Sequence, residues 1–175
     1  IAAVGCDALL LRDQQTTGHN FMGRSTGPVL VEKVSDFLEP YLAFSTWSYP
    51  PFPGYMYRRK FISGLYLEPE EGGKHTDVSF LAKILSRGAI LWLSRPLMWY
   101  RFHGSNDSGK ETVIDRLTWL RYMALNHGLN QKSPSVREFR FQYWLRWWMQ
   151  REGRGAFAKP SGWREKVILR FLLFA

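Results

Sequence analysis

The chain has 175 residues, of which 45% are hydrophobic and 16% aromatic, and its formal net charge is +9. This length suits about one ordinary domain with a real core, which excludes disordered, collagen-like and low-complexity proteins. A single cysteine, Cys6, excludes an intrachain disulfide and zinc sites built from paired cysteines, and it fits a reducing compartment. No apolar stretch approaches the roughly 18 to 20 residues that a spanning helix needs.

The positive charge is unevenly distributed along the chain. From Lys110 onward there are 13 Lys and Arg against 5 Asp and Glu, a net charge of +8. A basic region of this kind attracts nucleic acid, anionic lipid or a phosphorylated ligand. The chain begins at Ile1 and stops at Ala175 inside apolar patterns, which predicts that it is part of a longer protein.

The first part of the chain reads as an α/β body. Residues 1–11 predict a mostly buried strand, and the polar, glycine-bearing residues 12–28 predict a loop. Ser35 suits the cap of a short helix that ends near residue 44. The proline-rich residues 49–54 exclude regular structure. A short strand at 55–57 and a brief helix ending at Gly64 follow.

The middle of the chain predicts a helix between two loops and strands. Residues 68–74 form an acidic loop, and Thr76 has N-cap chemistry for a helix whose apolar residues repeat at helical spacing as far as Gly88. Asp77 then lies in the first turn of that helix. Residues 89–93 predict a buried strand, 94–96 a turn, 97–102 another strand and 104–109 a loop.

From residue 112 the pattern becomes helical. Helices are predicted at about 112–127, 135–150 and 163–175, separated by glycine- and proline-bearing stretches. The second of them carries tryptophans among arginines, which suit either stacking on bases or a lipid headgroup boundary, whereas aromatic residues at helical spacing also suit a core. These tryptophans are Trp144, Trp147 and Trp148.

Two places in the α/β body can carry chemistry. Asp77 can act as a general base at the edge of a pocket, although the helix macrodipole alone is reason enough for an acid in a first turn. Arg101 and His103 alternate with aromatic residues along a predicted strand and therefore share a face. A cation and an imidazole on one face suit a phosphate or a metal ion, although one histidine supplies too few metal ligands.

Several segments, read together and in order, resemble the second half of family 2 glycosyltransferases. The segments are GKHTDVSFLAKIL at 73–85, GAILWLSRPL at 88–97 and YRFHGSNDS at 100–108. They are similar to the family's acid at a helix start, its strand and turn with Pro-Leu, and its Tyr-Arg-X-His-X-X-Asn-X-Ser segment. Upstream, PGYMYRR at 53–59 and VGCDALL at 4–10 resemble two further strands of the family. The resemblance covers about residues 1–110.

The resemblance implies an α/β fold of the GT-A type, a Rossmann-like mixed sheet with flanking helices. It implies an inverting, metal-dependent transfer of a sugar from a nucleoside-diphosphate sugar to an acceptor hydroxyl, with Mn or Mg as the cation. Asp77 matches the catalytic base, while Arg101 and His103 match residues at the donor diphosphate, with His103 also reaching the metal. Gly54 and Thr76 are expected on the acceptor side.

The sequence also departs from the family pattern. No Asp-X-Asp motif occurs, and Asp7 does not take that role because its neighbours match the strand after the motif. Thr76 stands where many members have a second acid. We therefore expect residues 1–110 to be the second half of a GT-A-like domain without its nucleotide-binding half, inactive alone, and residues 111–175 to be a basic, tryptophan-rich helical extension.

The partners follow from these expectations. They are a nucleotide-sugar donor, a glycan or lipid-linked acceptor in polysaccharide biosynthesis, and an anionic membrane surface that the C-terminal helices contact. The protein is then cytoplasmic and peripheral on the inner face of the membrane, without a nucleic-acid partner. The alternatives are a non-enzymatic module that binds nucleic acid or a membrane surface through its basic residues, and a scaffold that keeps the fold without a usable base.

Overall fold

The computed structural model describes residues 1–12, 15–23, 27–42, 48–102 and 113–151. For residues 39, 102, 113–114 and 143–151 it describes the backbone only. The chain divides into two compact units, Ile1–Leu129 and Asn130–Ala175.

The first unit is built on a mixed five-stranded sheet. Its strands are β1 (Ala3–Arg12), β2 (Gln15–Asn20), β3 (Val29–Val31), β4 (Tyr55–Tyr57) and β5 (Ile90–Phe102). β1 and β5 run parallel along their whole length, whereas β2 and β4 pair antiparallel with opposite halves of β1, and β3 pairs antiparallel with the start of β5. The sheet and its flanking helices confirm the α/β class.

β5 corrects the prediction of two strands separated by a turn. Residues 90–102 form one strand whose register against β1 shifts twice, so that Cys6 lies opposite Leu93 while Asp7 lies opposite Pro96. Proline has no backbone N–H to donate, and such a residue is tolerated in a sheet at a bulge. The Ser94-Arg95-Pro96 sequence therefore produces a bulge inside a continuous strand.

The region between β1 and the first helix is also more regular than predicted. The polar, glycine-bearing sequence predicts a loop over residues 12–28, yet residues 15–20 form β2, which folds back on β1 with Leu11 opposite Thr16. β-Branched threonines favour strands, and the neighbouring strand supplies the hydrogen bonds. β3 is an addition to the predicted elements, and its Val31 is buried opposite Ile90.

Asp7 stabilises the middle of β1. It is fully buried, and its Oδ1 accepts the backbone N–H groups of Ala8 at 2.7 Å and Met22 at 2.9 Å. It lies between the half of β1 that pairs with β4 and the half that pairs with β2. Asp7 therefore holds the chain just after β2 against the middle of β1.

Within the described part of the first unit there are four α-helices: α1 (Val34–Leu42), α2 (Arg59–Ile62), α3 (Thr76–Leu85) and α4 (Val113–His127). α3 contributes most to the core, because Val78, Leu81 and Ile84 are fully buried. The predicted cap of α3 is wrong by one residue: Thr76 is the first helical residue and His75 precedes the helix. The Thr76 hydroxyl donates a hydrogen bond back to the carbonyl of Gly73 at 2.5 Å, which closes a 3₁₀ turn at 73–75.

The second unit contains α5 (Pro134–Arg151). Ser133 precedes it, and its hydroxyl accepts the N–H of Val136 at 3.3 Å, as an N-cap does. Val136 and Phe139, three residues apart, are buried, while Arg137 between them is exposed. Trp144, Trp147 and Trp148 lie on α5 where only the backbone is described, and the helix predicted from residue 163 lies outside the described residues. Among the described residues, no helix is long and apolar enough to cross a bilayer.

Candidate active site around Asp77

Asp77 occupies the first turn of α3, where the sequence predicts it. The side chain is half-buried, and its Oδ1 accepts the backbone N–H of Val78 at 2.8 Å. Burial raises the pKa of the carboxyl, while the Val78 N–H and the ring of His75 oppose the rise. Asp77 is therefore a stronger base than a solvent-exposed aspartate.

The turn before α3 is held by the first turn of α4. Asp115 Oδ1 accepts the backbone N–H of Lys74 at 3.0 Å. Gly73 has φ +56°, and a Cβ at this position would lie 2.1 Å from Asp115 Oδ1. Only glycine combines this backbone conformation with such a close approach. Gly73 thus lets α4 fix the point where α3 begins.

Four tyrosines lie near enough to Asp77 for its charge to act on their hydroxyls. Burial is the largest cause that raises the pKa of each hydroxyl, and the negative charge of Asp77 contributes to each rise. They come from three parts of the chain: α1, the proline-rich segment after it, and β4. The four residues are Tyr41, Tyr49, Tyr55 and Tyr57. Their raised pKa values keep the phenols protonated, so they can donate hydrogen bonds near the carboxylate.

A buried histidine lies on one side of the carboxylate. His75 is 8% exposed, its Nδ1 lies in hydrogen-bond contact with the Tyr41 hydroxyl, and its ring packs against Trp119 with a centroid distance of 5.7 Å. Burial and the nearby Arg116 lower its pKa to about 4. The imidazole is therefore neutral at pH 7, and a protonated Tyr41 can donate to Nδ1.

Arg116 adds a buried positive charge to the same cluster. It follows Asp115 on α4 and is 9% exposed. Its guanidinium lowers the pKa of His75, Tyr41 and Tyr49. The cluster thus combines a base of raised pKa, a neutral imidazole, several phenol donors and a cation, which is a set suited to proton transfer and to binding a polar substrate.

The two predicted acceptor-side residues are placed differently. Thr76 adjoins Asp77, but its hydroxyl is engaged by the Gly73 carbonyl. Gly54 lies just before β4, and a Cβ there would come within 2.8 Å of the Cys6 carbonyl oxygen. This close approach accounts for the glycine. Gly54 therefore serves to seat β4, and with it the tyrosines of β4, against β1.

The structure does not bring Arg101 into the cluster around Asp77. Tyr55, one of the tyrosines near Asp77, lies beside Trp92, and Trp92 pairs with Gly5 of β1. Arg101 pairs with Leu11, six residues further along β1. At about 3.3 Å per residue, Arg101 and Trp92 are separated by about 20 Å along the sheet. Arg101 is exposed near the carboxyl end of the parallel pair, the edge at which α/β sheets bind ligands.

The metal site that the resemblance implies is not supplied by the described residues. His103, Asn106 and Ser108 lie outside them, as does the rest of the loop at 103–112. Within the described ranges, no group of three or more His, Cys, Asp or Glu could hold a metal ion.

Sequence reasoning missed most of the cluster around Asp77. His75 stands two residues before Asp77, and Tyr55 and Tyr57 share a face of β4 by their alternation, so both signals were present. Tyr41 and Arg116 carry no such signal, because they are 36 and 39 residues away in sequence and only the fold brings them to α3.

Comparison with known proteins gives no match: no family model, curated protein or solved structure matches this chain. The function therefore rests on the residues and their geometry.

Proposed function

We propose that the chain is part of a glycosyltransferase of the family 2, GT-A type. In this proposal a sugar passes from a nucleoside-diphosphate sugar to an acceptor hydroxyl with inversion at the anomeric carbon, in glycan or polysaccharide biosynthesis. The resemblance in sequence supports it, and so does the mixed sheet with a parallel central pair. The observation that carries it is Asp77, a half-buried carboxylate of raised pKa in the first turn of α3.

Asp77 acts as the general base in the proposed reaction. Its carboxylate takes the proton of the acceptor hydroxyl while that oxygen attacks the anomeric carbon, and the bond to the diphosphate oxygen breaks with its electron pair leaving on the nucleoside diphosphate. A raised pKa strengthens the base at the moment of proton transfer.

Arg101 is proposed to contact the donor diphosphate on the sequence resemblance alone, because the sheet places it about 20 Å along β1 from the residues nearest Asp77. His103 is proposed to bind a divalent cation, Mn or Mg, which would offset the negative charge of the departing nucleoside diphosphate.

The positive charge is the basis for proposing a membrane contact and a cytoplasmic location. The net charge of +8 from Lys110 onward supports an attraction of the C-terminal helices to anionic lipid on the cytoplasmic face of a membrane. Flotation with vesicles of phosphatidylcholine alone and with added phosphatidylglycerol tests this contact. Equal recovery of the protein with both kinds of vesicle would refute it.

The experiment on activity uses the full-length gene product with a panel of nucleoside-diphosphate sugars and Mn or Mg, and it compares wild type with Asp77→Asn. Asp36→Asn is the matched control, because Asp36 is also a first-turn aspartate but is exposed on α1. We expect Asp77→Asn to lower the transfer rate by about 100-fold or more, the usual contribution of a general base, and Asp36→Asn to leave it unchanged. Turnover of no donor, or equal activity of the two variants, would refute the proposal.

The basic charge supports a second candidate, a non-enzymatic module that binds a polyanion. This candidate requires that the protein bind a polynucleotide and that the binding affinity fall steeply as the salt concentration rises. The slope of log affinity against log salt is set by the number of phosphates that the protein neutralises. A titration of a 20-nucleotide single strand at 50 and 200 mM salt distinguishes it. Affinity that does not change between these salt concentrations would exclude this candidate.

A further inference from the structure

The second half of β5 exposes large apolar side chains to solvent. From residue 94 to residue 101 half-buried and exposed residues alternate, which places the exposed side chains on the outward face of the strand. Leu97 is 58% exposed and Trp99 is 56% exposed. Arg95 and Arg101, which are also exposed, stand on either side of them along the strand. The outward face thus carries an aliphatic and an aromatic side chain between two guanidinium groups.

The neighbouring strand β1 extends this apolar surface. Leu9 pairs with Trp99 and Leu11 pairs with Arg101 in the parallel register. Residues that pair across two strands point to the same side of a sheet, and both leucines are only half-buried. The surface, called the β5 face below, consists of Leu9, Leu11, Leu97 and Trp99 with Arg95 and Arg101.

The charge around the β5 face has one sign. No Asp or Glu occurs among the described residues 8–12, 15–20 and 95–102, whereas Arg12, Arg95 and Arg101 are exposed. A second copy of the chain that bound to this face through its own β5 face would bring arginines against arginines, and like charges in contact are unfavourable. The β5 face therefore suits an anionic partner and not a second copy of itself.

The apolar side chains of the β5 face distinguish between two anionic partners. A polynucleotide strand stacks its bases on aromatic side chains, and the β5 face offers a single ring, that of Trp99. The other apolar residues are leucines, which do not stack with bases but pack against acyl chains. Tryptophan suits the boundary between water and lipid, and arginine is attracted to anionic headgroups. The combination therefore favours a lipid surface over a polynucleotide.

We propose that the β5 face binds the surface of an anionic lipid bilayer, with Leu97 and Trp99 at the level of the headgroups and Arg95 among the lipid phosphates. The contact proposed above for the C-terminal helices involves other residues and has net charge as its basis. The β5 face adds a contact on the first unit, with its own apolar and basic side chains. The inference thus goes beyond the proposed function and does not depend on sugar transfer.

Flotation of the full-length gene product with vesicles of phosphatidylcholine and phosphatidylglycerol tests the inference. Leu97→Ser and Trp99→Ser should each lower the partition coefficient by about fivefold or more, because each removes an apolar side chain that the lipid would cover. Leu30→Ser is the matched control: Leu30 is a 51% exposed leucine on β3, outside the β5 face, and its replacement should leave the coefficient unchanged. All three side chains are exposed, so thermal unfolding should stay close to that of wild type.

Fluorescence quenching shows directly whether Trp99 reaches the lipid. Vesicles of phosphatidylglycerol and brominated phosphatidylcholine quench those tryptophans that contact the bilayer. Trp99→Phe keeps an aromatic ring at the position and should still bind, but the fraction of its fluorescence that these vesicles quench should be smaller than in wild type. An equal quenched fraction in the two proteins would overturn the inference, even if the serine variants failed to fold.

The remaining outcomes separate this contact from the others. If wild type floats with the anionic vesicles and folded Trp99→Ser floats equally well, the inference is wrong while the contact of the C-terminal helices stands. If wild type does not float, both contacts are wrong. Two further results would also overturn the inference: a wild-type dimer in light scattering that Trp99→Ser converts to a monomer, or binding to a single-stranded polynucleotide that Trp99→Ser weakens while flotation is unchanged. The first would assign the β5 face to a second copy, the second to nucleic acid.

Discussion

Replacing Gly73 by alanine should show how much the turn before α3 depends on α4. Two effects add at this position. The φ of +56° costs an L-residue about 1–2 kcal/mol, and a Cβ 2.1 Å from Asp115 Oδ1 forces that carboxylate away. Its movement breaks the 3.0 Å hydrogen bond from the Lys74 N–H, and a bond to a charged group is worth about 1.5–3 kcal/mol. We expect Gly73→Ala to lower the free energy of unfolding by about 4 kcal/mol.

Urea denaturation followed by tryptophan fluorescence measures this loss. Gly64→Ala is the control, because Gly64 has φ +71° but nothing within 4 Å of an added Cβ, so only the backbone term of about 1–2 kcal/mol applies. Asp115→Ala in the Gly73→Ala background should recover part of the loss, since it removes the clash, and the double-mutant cycle should show this coupling. Equal losses for Gly73→Ala and Gly64→Ala, without coupling to Asp115, would refute the argument.

Two further predictions concern buried titratable groups. Burial lowers the pKa of His75 from 6.5 to about 4. Between pH 6.5 and pH 4 the unfolded chain therefore binds more protons than the folded protein. We expect the free energy of unfolding to fall by about 3 kcal/mol as the pH drops from 6.5 to 4. Urea unfolding at both pH values should show a smaller difference for His75→Gln, and an equal one would contradict the burial of a neutral ring. Asp7→Ala leaves the buried N–H groups of Ala8 and Met22 without an acceptor and should cost about 3 kcal/mol, whereas Asp7→Asn keeps one acceptor oxygen and should cost less. Equal unfolding midpoints for the two Asp7 variants would refute the structural role of the carboxylate.

The sequence predicts those elements whose own residues determine them. β1, β4 and α3 carry apolar patterns that match their burial, and α3 also has a glycine after its end. β2 forms only because it folds back on β1, while β3 and the bulge in β5 depend on partner strands that are distant in sequence. Pro96 predicts an interruption, but only the pairing with β1 decides between a turn and a bulge.

The candidate site shows the same division. Asp77 is predicted because a helix start and a family resemblance both lie in its immediate sequence. The titratable residues near Asp77 come from α1, β4 and α4, and only the fold brings them together with α3. The requirement for Gly73 likewise appears only when Asp115 is placed against it.

The pH dependence of sugar transfer by wild type and by Asp77→Asn tests the central claim most directly. Because burial raises the pKa of Asp77, we expect the wild-type kcat/KM to fall on the acid side with a midpoint above the ordinary range of an aspartate. The residual transfer by Asp77→Asn should be at least about 100-fold slower and should lack this acid limb. The same acid limb in both proteins, or a variant as fast as wild type, would show that Asp77 is not the base.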